Sequence, residues 1–251
     1  MIKGLTIFIF AALLSFPSHA GAIIPYPFDA HYSLTRNGSK IGETSRRFHL
    51  QKNGLYRYHS KTRSTGALKW ILNIEIEEKS WMQIDNESIK PIAYNYQRTG
   101  NLKNKTRNLQ FDWNDHLVTA EKNGKRHGKL TPIENGTLDK MAFHLAIMRD
   151  LSQGKTDLEY QVAVGPRVKT YHFRVAGEET LNTVAGKTKT LRIERVGKKF
   201  TFWLAPELAY LPVKIEHEDN GMFILKLDRY KIDEPAEEDG ATTNVVTTAK
   251  P

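Results

Sequence analysis

The side chains best suited to catalysis or metal binding in this sequence are histidines and carboxylates, because the chain contains no cysteine. That absence excludes a thiol nucleophile, a cysteine metal site and any disulfide. The sequence also lacks a nucleophile elbow, a His-Glu-x-x-His zinc motif, a phosphate-binding glycine loop and a calcium loop. We therefore name no catalytic residue, no metal ligand and no cofactor.

The histidines do not show a metal-ligand spacing on any obvious helix or strand. A two-residue Asn-Gly turn between His49 and His59 would place His49 opposite Tyr58 and His59 opposite Phe48. The two rings would then point to opposite faces of the sheet. His217 shares its parity with aliphatic neighbours, which favours a hydrogen-bonded core histidine over a ligand.

A concentration of basic residues lies between positions 98 and 129, with only three acids among them. Hairpin turns would bring these residues together. Such a patch suits an anionic lipid headgroup, lipopolysaccharide or another acidic envelope polymer. Lysines that maintain solubility and protect sheet edges would give the same pattern. The basic patch consists of Arg98, Lys103, Lys105, Arg107, Lys122, Lys125, Arg126 and Lys129.

Large apolar side chains provide a third candidate, a cavity between a helix and a sheet, in which methionine would adapt to an irregular apolar ligand. The segment 66–72 is apolar on both parities at its end. This pattern fits either a strand end buried under the helix or an exposed lip or contact surface. The expected cavity is lined by Trp70, Leu72, Ile74, Met141, Phe143, Leu145, Phe202 and Trp203.

One long helix is predicted, and it would supply part of the lining of that cavity. Apolar residues recur at intervals of three and four between positions 138 and 151, which places them on one helix face. Thr137 or Asp139 can cap the start, and Gly154 stands where a helix usually ends. The apolar face of this helix needs a sheet to cover it.

The remaining segments alternate as strands and are separated by Asn-Gly and related turns. About seven strands are predicted before the helix, including a half-buried strand over 70–84, and six more follow it. We predict a mainly β fold, in which a large curved antiparallel sheet or open half-barrel is wrapped on one α-helix at about residues 138–151.

The ends of the chain indicate export. Residues 1–20 contain Lys3, an apolar run and small residues at the cleavage positions, as in a signal peptide, with cleavage also compatible with residue 22. The apolar run is short for a membrane span, so we expect a soluble mature chain without one; an uncleaved signal anchor is the alternative. Residues 23–233 are expected to form a single β-rich domain, and residues 234–251 a disordered acidic tail.

The absence of cysteine favours the periplasm of a Gram-negative bacterium, because exported eukaryotic domains are more often cross-linked by disulfides. The full chain has a formal net charge of +9. The tail holds four acids and one lysine and the signal holds one lysine, so the predicted domain carries +11. Nucleic acid is not expected as a partner of an exported protein.

Several motifs resemble the DUF3108 family, a family of exported bacterial proteins with no assigned function. The likeness covers roughly residues 25–232 and implies a β-rich envelope protein, but it carries over no catalytic residue. A more remote architectural likeness is to periplasmic carriers and acceptors of bacterial lipoproteins, whose open half-barrels hold acyl chains; architecture alone does not fix function. The motifs are Pro27-Phe28-Asp29-Ala30-His31-Tyr32, Gly42, the helix Asp139 to Arg149, Gly186, Trp203-Leu204-Ala205 and Leu211-Pro212-Val213-Lys214.

We therefore expect non-catalytic periplasmic binding of an amphipathic or anionic envelope molecule, a lipid or lipid-linked polymer, between helix and sheet. A structural or adaptor protein that binds another envelope protein is the alternative. A hydrolase would require an acid-base constellation in a cleft. A filled core would favour the adaptor, and an open apolar groove of about 300 Å³ or more would favour the binder.

Overall fold

The computed structural model describes residues 25–233. The predicted signal peptide and acidic tail therefore lie outside the described residues. Within the described range, none of the helices has the length and apolar character needed to cross a membrane.

Fifteen strands form one antiparallel sheet in the order β10-β11-β12-β13-β14-β15-β1-β2-β3-β4-β5-β6-β7-β8, with β9 paired to β7. This confirms the prediction of a mainly β protein with one large antiparallel sheet. The strands are β1 (Phe28–Arg36), β2 (Ser39–Leu50), β3 (Tyr56–Ser64), β4 (Glu75–Ile84), β5 (Ile89–Thr99), β6 (Lys105–Asp112), β7 (Leu117–Lys122), β8 (Lys125–Arg126), β9 (Thr131–Pro132), β10 (Asp157–Ala163), β11 (Val168–Thr183), β12 (Gly186–Arg195), β13 (Phe200–Ala205), β14 (Leu211–Glu218) and β15 (Met222–Ile232).

Alternation along β2 shows how the sequence assigns side chains to the two faces. Gly42, Thr44, Arg46 and Phe48 are buried, whereas the neighbouring Arg47 is exposed. Successive side chains of a strand point to opposite faces, so the buried set marks the inner face of the sheet. A charged residue in this set is unusual, because arginine is seldom fully buried without a partner.

Two α-helices are present among the described residues, α1 (Gly66–Leu72) and α2 (Ala142–Ser152), and a short 3-10 helix spans Pro206–Leu208. Helix α2 begins four residues later than the predicted start, because the preceding chain makes other bonds. Leu138 forms a parallel bridge with Val162 of β10. Asp139 then caps the helix: its Oδ1 atom accepts the backbone N–H groups of Met141 at 2.7 Å and Ala142 at 2.8 Å.

Helix α2 is buried on most of its surface. Phe143 stacks on Phe173 of β11, with ring centroids 5.8 Å apart. His144 contacts Tyr58 of β3 and Phe202 of β13 edge to face. Strands far apart in the sheet order thus contact the same helical turn. The buried residues of α2 are Ala142, Phe143, Leu145, Ala146, Ile147, Met148, Asp150 and Leu151.

The strand predicted over 70–84 is wrong at its start, because Gly66–Leu72 forms α1 and the strand begins at Glu75. Ser64 N–H donates to the carbonyl of Ile74 at 2.9 Å, which closes the base of the β3–β4 connection. Asn73 ends α1 in the left-handed conformation, with φ of 43°. The intervening residues therefore leave the sheet as a helical turn.

The sheet is not closed, and the chain between its edge strands β8 and β10 lies at the seam. Leu138 N–H donates to Gln161 O, and Ala163 N–H donates to Leu138 O, both at 2.8 Å. A Cβ on Gly128 would lie 2.4 Å from the Cβ of Pro166, so the loop after β8 packs closely against the β10–β11 turn. These contacts join the two edges without a strand ladder between them.

Candidate anion-binding groove

The inner face of the sheet changes from buried to partly exposed along the strands. We call a set of residues that pair directly across neighbouring strands a row. The first row is buried beside α2 and contains Phe48, Tyr58, Ser80, Tyr94 and Leu109. Directly paired residues of antiparallel strands share a face, so the rows that follow also point inward. The next row contains Arg46, Ser60, Glu78, Tyr96, Arg107 and Lys122.

From the second row onward, the inner face is only partly covered. A third row runs through Thr44, Thr62, Ile76, Arg98 and Lys105. Four of these residues are only half-buried, although their parity points them inward. This part of the inner face is therefore accessible at the end of the sheet where β3 and β5 finish and β4 and β6 begin.

Five basic side chains lie along this part of the inner face or on the segment that adjoins it. We call the set Arg46, Arg98, Lys105, Arg107 and Lys140 the cationic groove. Lys140 comes from the segment before α2, whereas the other four come from β2, β5 and β6. Among residues 25–233, none of the five has a carboxylate oxygen within 4.0 Å.

Arg46 is the most deeply placed member of the cationic groove, with only 8% of its surface exposed. Its Cζ atom lies 5.5 Å from the ring centroid of Tyr32. Its Nε and Nη1 groups are buried and have no hydrogen-bond acceptor among the described residues. A guanidinium in this setting keeps two donors free, which is costly unless an anion or water accepts them.

The pKa values of the two lysines in the groove reflect their burial and the neighbouring positive charges. Burial and the charges of Arg107 and Arg98 lower the pKa of Lys105. Burial also lowers the pKa of Lys140, and the charge of Arg107 adds to the effect, against the opposing charge of Glu78. Burial is the larger cause for both lysines, and the neighbouring arginines add a repulsion that a bound anion would reduce.

Glu78 is the carboxylate closest in register to Arg46, because Ser60 lies between them in the same row. Its Oε1 atom accepts the hydroxyl of Tyr94 at 2.5 Å. Burial raises the pKa of Tyr94, and the charge of Glu78 raises it further, so the phenol remains a donor. One carboxylate thus partly offsets the five cations, and the groove stays positive.

An apolar wall adjoins the cationic groove along β1, β13 and β15. Leu34 lies opposite both Gly42 and Leu225, which places it beside the Arg46 strand. Phe200 packs edge to face on Phe202, with ring centroids 4.8 Å apart. Leu34, Leu225 and Phe200 are all half-buried. The open inner face therefore offers both cations and apolar surface.

Comparison with known proteins places this fold in a family. The family model described as "Protein of unknown function (DUF3108)" matches residues 28–227. The chain belongs to the DUF3108 family. This confirms the resemblance drawn from the sequence motifs, and no curated protein matches the chain.

A solved structure has a fold similar to that of the DUF3108 protein. It is the crystal structure of a beta-barrel-like protein of domain of unknown function DUF1849 from Brucella abortus. The TM-score is 0.56 at 12% sequence identity, and the match covers 85% of this chain and 100% of the other. At this identity, the likeness concerns the fold alone.

The basic patch predicted for the DUF3108 protein divides into two groups. Arg98, Lys105, Arg107 and Lys122 lie on the inner face, where the first three form part of the cationic groove. The others are exposed in turns, the short β8 and the following loop: Lys103, Lys125, Arg126 and Lys129. The prediction missed Arg46 and Lys140. The alternation of β2 could have predicted that Arg46 points inward, since Arg46 shares its parity with Thr44 and Phe48.

The predicted apolar residues do not line one cavity. Met141, Phe143, Leu145 and Phe202 are buried in the core, where Phe143 also contacts Tyr171 edge to face at 5.4 Å. These rings fill the space between α2 and the sheet. Leu72 and Ile74 are half-buried at α1 and its exit, and Trp70 is 86% exposed on α1. The placement of Trp70 is therefore corrected from core to surface.

Trp203 is also corrected, because it lies on the outer face of the sheet. It is adjacent in β13 to the inward-facing Phe202, so alternation turns it away from α2. Its Nε1–H group donates to Glu179 Oε2 at 2.8 Å, and Lys214 Nζ lies 4.1 Å from its ring centroid. Polar residues therefore cover this buried indole from outside.

The histidines of the DUF3108 protein differ from the prediction in register. A five-residue connection, closed by a bond from Gln51 N–H to Leu55 O at 2.8 Å, pairs His49 with Arg57 and Arg47 with His59. His49 and His59 therefore share the outer face. His217 is exposed rather than in the core, and packs on the ring of Phe200. Across residues 25–233, no three His, Asp or Glu side chains are grouped closely enough to hold a metal ion.

Two concave surfaces lie away from the groove. One, of about 230 Å³, is at the end of α2, where it meets Tyr26 and Tyr210. The other, of about 420 Å³, is an open charged surface at the β12–β13 turn, beside Arg174 and Lys198. The first falls below the roughly 300 Å³ typical of ligand pockets, and the second is largely polar in its lining residues.

Proposed function

We propose that this DUF3108 protein binds an anionic amphipathic molecule of the cell envelope, a lipid or a lipid-linked polymer, in the periplasm without altering it chemically. In this proposal the sheet wraps on α2 as an open half-barrel, and the uncovered inner face is the binding surface. The observation that carries the proposal is Arg46, a buried arginine with two free donors at the edge of an open cationic groove.

The anionic headgroup is assigned to the cationic groove. A guanidinium presents planar, paired N–H donors that match phosphate or carboxylate oxygens. Arg107 lies in the same row as Arg46 and Lys105 lies in the next row, both on β6, and both add positive charge where water is partly excluded. Leaving a buried charge uncompensated costs several kcal/mol, so an anion bound here gains more than it would at an exposed lysine.

The apolar part of the ligand is assigned to the wall of Leu34, Leu225 and Phe200 rather than to the space beneath α2. That space is filled by contacting aromatic rings, among them Phe143 and Phe173. The wall is half-buried and adjoins the Arg46 strand, so one molecule can contact both surfaces. This revises the location of the predicted cavity while keeping the same class of ligand.

The filled packing between α2 and the sheet supports the alternative, in which the protein is an adaptor that binds another envelope protein through its surface. An adaptor needs no free donors inside the half-barrel. The two functions are therefore distinguished by the effect of changing Arg46, which a protein bound to the outer surface does not contact.

The test is native mass spectrometry of the mature protein from the periplasm, followed by lipid extraction, for the wild type, Arg46→Met and Arg47→Met. Methionine replaces the arginine with an unbranched apolar side chain that fills the space of its aliphatic stem, and it leaves no buried donor without an acceptor. Arg47 is the matched control, because it is the next residue of β2, exposed on the other face and 3.4 Å from Asp29.

We expect a co-purifying anionic amphiphile in the wild type and in Arg47→Met, and its loss in Arg46→Met. Equal occupancy in all three proteins would remove Arg46 from the site. A wild-type mass that remains free of added mass after incubation with envelope lipids would reject the binding function and favour the adaptor.

A further inference from the structure

The rim of the half-barrel displays apolar side chains that the groove does not use. Trp70 is 86% exposed and Ile71 is 67% exposed, both on α1. Leu102, in the β5–β6 turn, is 43% exposed. We call Trp70, Ile71 and Leu102 the apolar tip. Isolated exposed leucines are ordinary, but an almost fully exposed tryptophan with two further apolar neighbours marks an interaction site.

The apolar tip is held in a defined conformation. Asn101 joins the two segments: its Nδ2 donates to Ile71 O at 2.9 Å, and its backbone N–H donates to Leu72 O at 2.8 Å. A Cβ on Gly100 would lie 2.5 Å from Asn73 O, so the two backbones are in direct contact. The turn and α1 therefore present their side chains as one unit, which reduces the entropy lost on binding.

The charges within the segments that form the apolar tip have one sign, and Glu75, which follows the first segment, is paired with Lys61 and Arg63. Lys69 and Lys103 are the only charged residues in the segments 65–74 and 100–104. The tip also lies at the end of the sheet where the cationic groove opens, since Arg98 and Lys105 border the same β5–β6 turn. An apolar tip with flanking lysines is complementary to a bilayer that carries anionic headgroups.

We propose that the apolar tip inserts into the surface of a membrane that contains anionic lipids. Tryptophan prefers the boundary between headgroups and acyl chains, and the lysine stems can extend to the headgroups. A membrane fits better than a protein here, because a stable protein interface buries about 800 Å² on each partner, which three side chains do not supply. This inference goes beyond the proposed ligand site and does not depend on it.

The test is flotation of the full chain without its predicted signal on vesicles of phosphatidylglycerol and phosphatidylcholine. The test variant is Trp70→Ser with Ile71→Ser. The matched control is Leu50→Ser, which removes another exposed residue, 55% accessible, from the opposite end of β2. Circular dichroism of each protein checks the fold, and the tryptophan emission of the wild type reports insertion of Trp70.

We expect binding to the anionic vesicles with a blue shift of the emission, weakened by salt, and about tenfold or greater loss in the double variant. Leu50→Ser should bind as the wild type does, and the double variant should still co-purify the amphiphile of the groove, which separates this site from the groove. Equal partition of the double variant and the wild type would assign any binding to surface charge and overturn the proposal. A photo-crosslinker at position 71 that captures an envelope protein, without vesicle binding, would also overturn it.

Discussion

Asp139 provides the most quantitative test of how this core is built. The residue is completely buried; its Oδ1 atom caps α2 and its Oδ2 atom accepts the hydroxyl of Ser80 at 2.5 Å. Burial raises the pKa of Asp139 from 3.8 to about 6, although its three hydrogen bonds favour the carboxylate. The charged form is therefore tolerated in the folded state at a cost.

The sign of the pH dependence follows from that raised pKa. Between pH 4 and pH 6 the folded state holds the Asp139 proton more tightly than the unfolded state does. Stability from this group is therefore present at pH 4 and is lost as the pH rises through 6. The difference in pKa corresponds to about 3 kcal/mol. Asp139→Asn keeps the Oδ1 acceptor and removes the charge, so it should not show this loss.

The assay is urea denaturation of the wild type and Asp139→Asn at several pH values between 4 and 8. The difference between the two unfolding free energies cancels other titrating groups and should change by about 3 kcal/mol, in favour of the variant, from pH 4 to pH 7. Asp139→Ala serves as the capping control and should cost about 1 kcal/mol or more at every pH. A wild-type minus Asn difference that stays constant across this range would refute the reasoning.

Three further predictions concern the surroundings of the site. Burial and the charge of Arg46 lower the pKa of His144 well below its usual value, so the ring takes up a proton more readily in the unfolded state. The unfolding free energy should therefore fall by up to about 1.4 kcal/mol per pH unit below 6.5, and His144→Phe should remove that slope in urea titrations. In Gly100→Ala the new Cβ would clash with the carbonyl oxygen of Asn73, and the residue would keep a φ of 132°, so the change should cost about 2 kcal/mol or more. Gly186→Ala, which has open space at its Cβ, should cost about 1 kcal/mol, and thermal melts compare the two. Trp203→Phe loses the hydrogen bond to Glu179 and should cost about 1 kcal/mol of unfolding free energy by chemical denaturation.

The hairpins were the most predictable part of this fold, because their turns need residues that tolerate positive φ. Asn37 and Gly38 adopt φ values of 49° and 84° and join β1 to β2 as the sequence indicates. Alternation then assigns most inner and outer positions. The β2–β3 register was wrong by one residue, because Asn53-Gly54 lies inside a longer loop rather than forming a two-residue turn.

Local sequence did not distinguish helix from strand in segment 66–72. Apolar residues on both parities fit a doubly buried strand, an amphipathic turn or an exposed surface, and the decision came from distant partners. Ile41 O accepts the N–H of Thr65, and Asn101 holds the end of α1. Strand β11 also continues past Gly177, because a bulge leaves Ala176 without a partner and pairing resumes with Gly177 opposite Arg192.

The candidate site was predictable in its charge but not in its assembly. Arg98, Lys105 and Arg107 alternate on two paired strands, so their convergence follows from register. Lys140 reaches the groove only because the segment before α2 crosses the seam, which no short-range pattern encodes. Long-range placement of this kind depends on the whole fold rather than on local propensity.

The seam bears on how the two edges of this open sheet are held together. In a closed barrel, strand number and shear fix the circumference, so the lumen accepts a narrow range of ligand widths. Here the circumference depends on a few contacts, chiefly the bonds of Leu138 with Gln161 and Ala163 and the packing of Gly128 on Pro166. Parting these contacts would leave every strand ladder intact. If the proposed function holds, we expect amphiphiles of different cross-section to part them to different extents, and the amide exchange rates of Leu138 and Ala163 to rise accordingly.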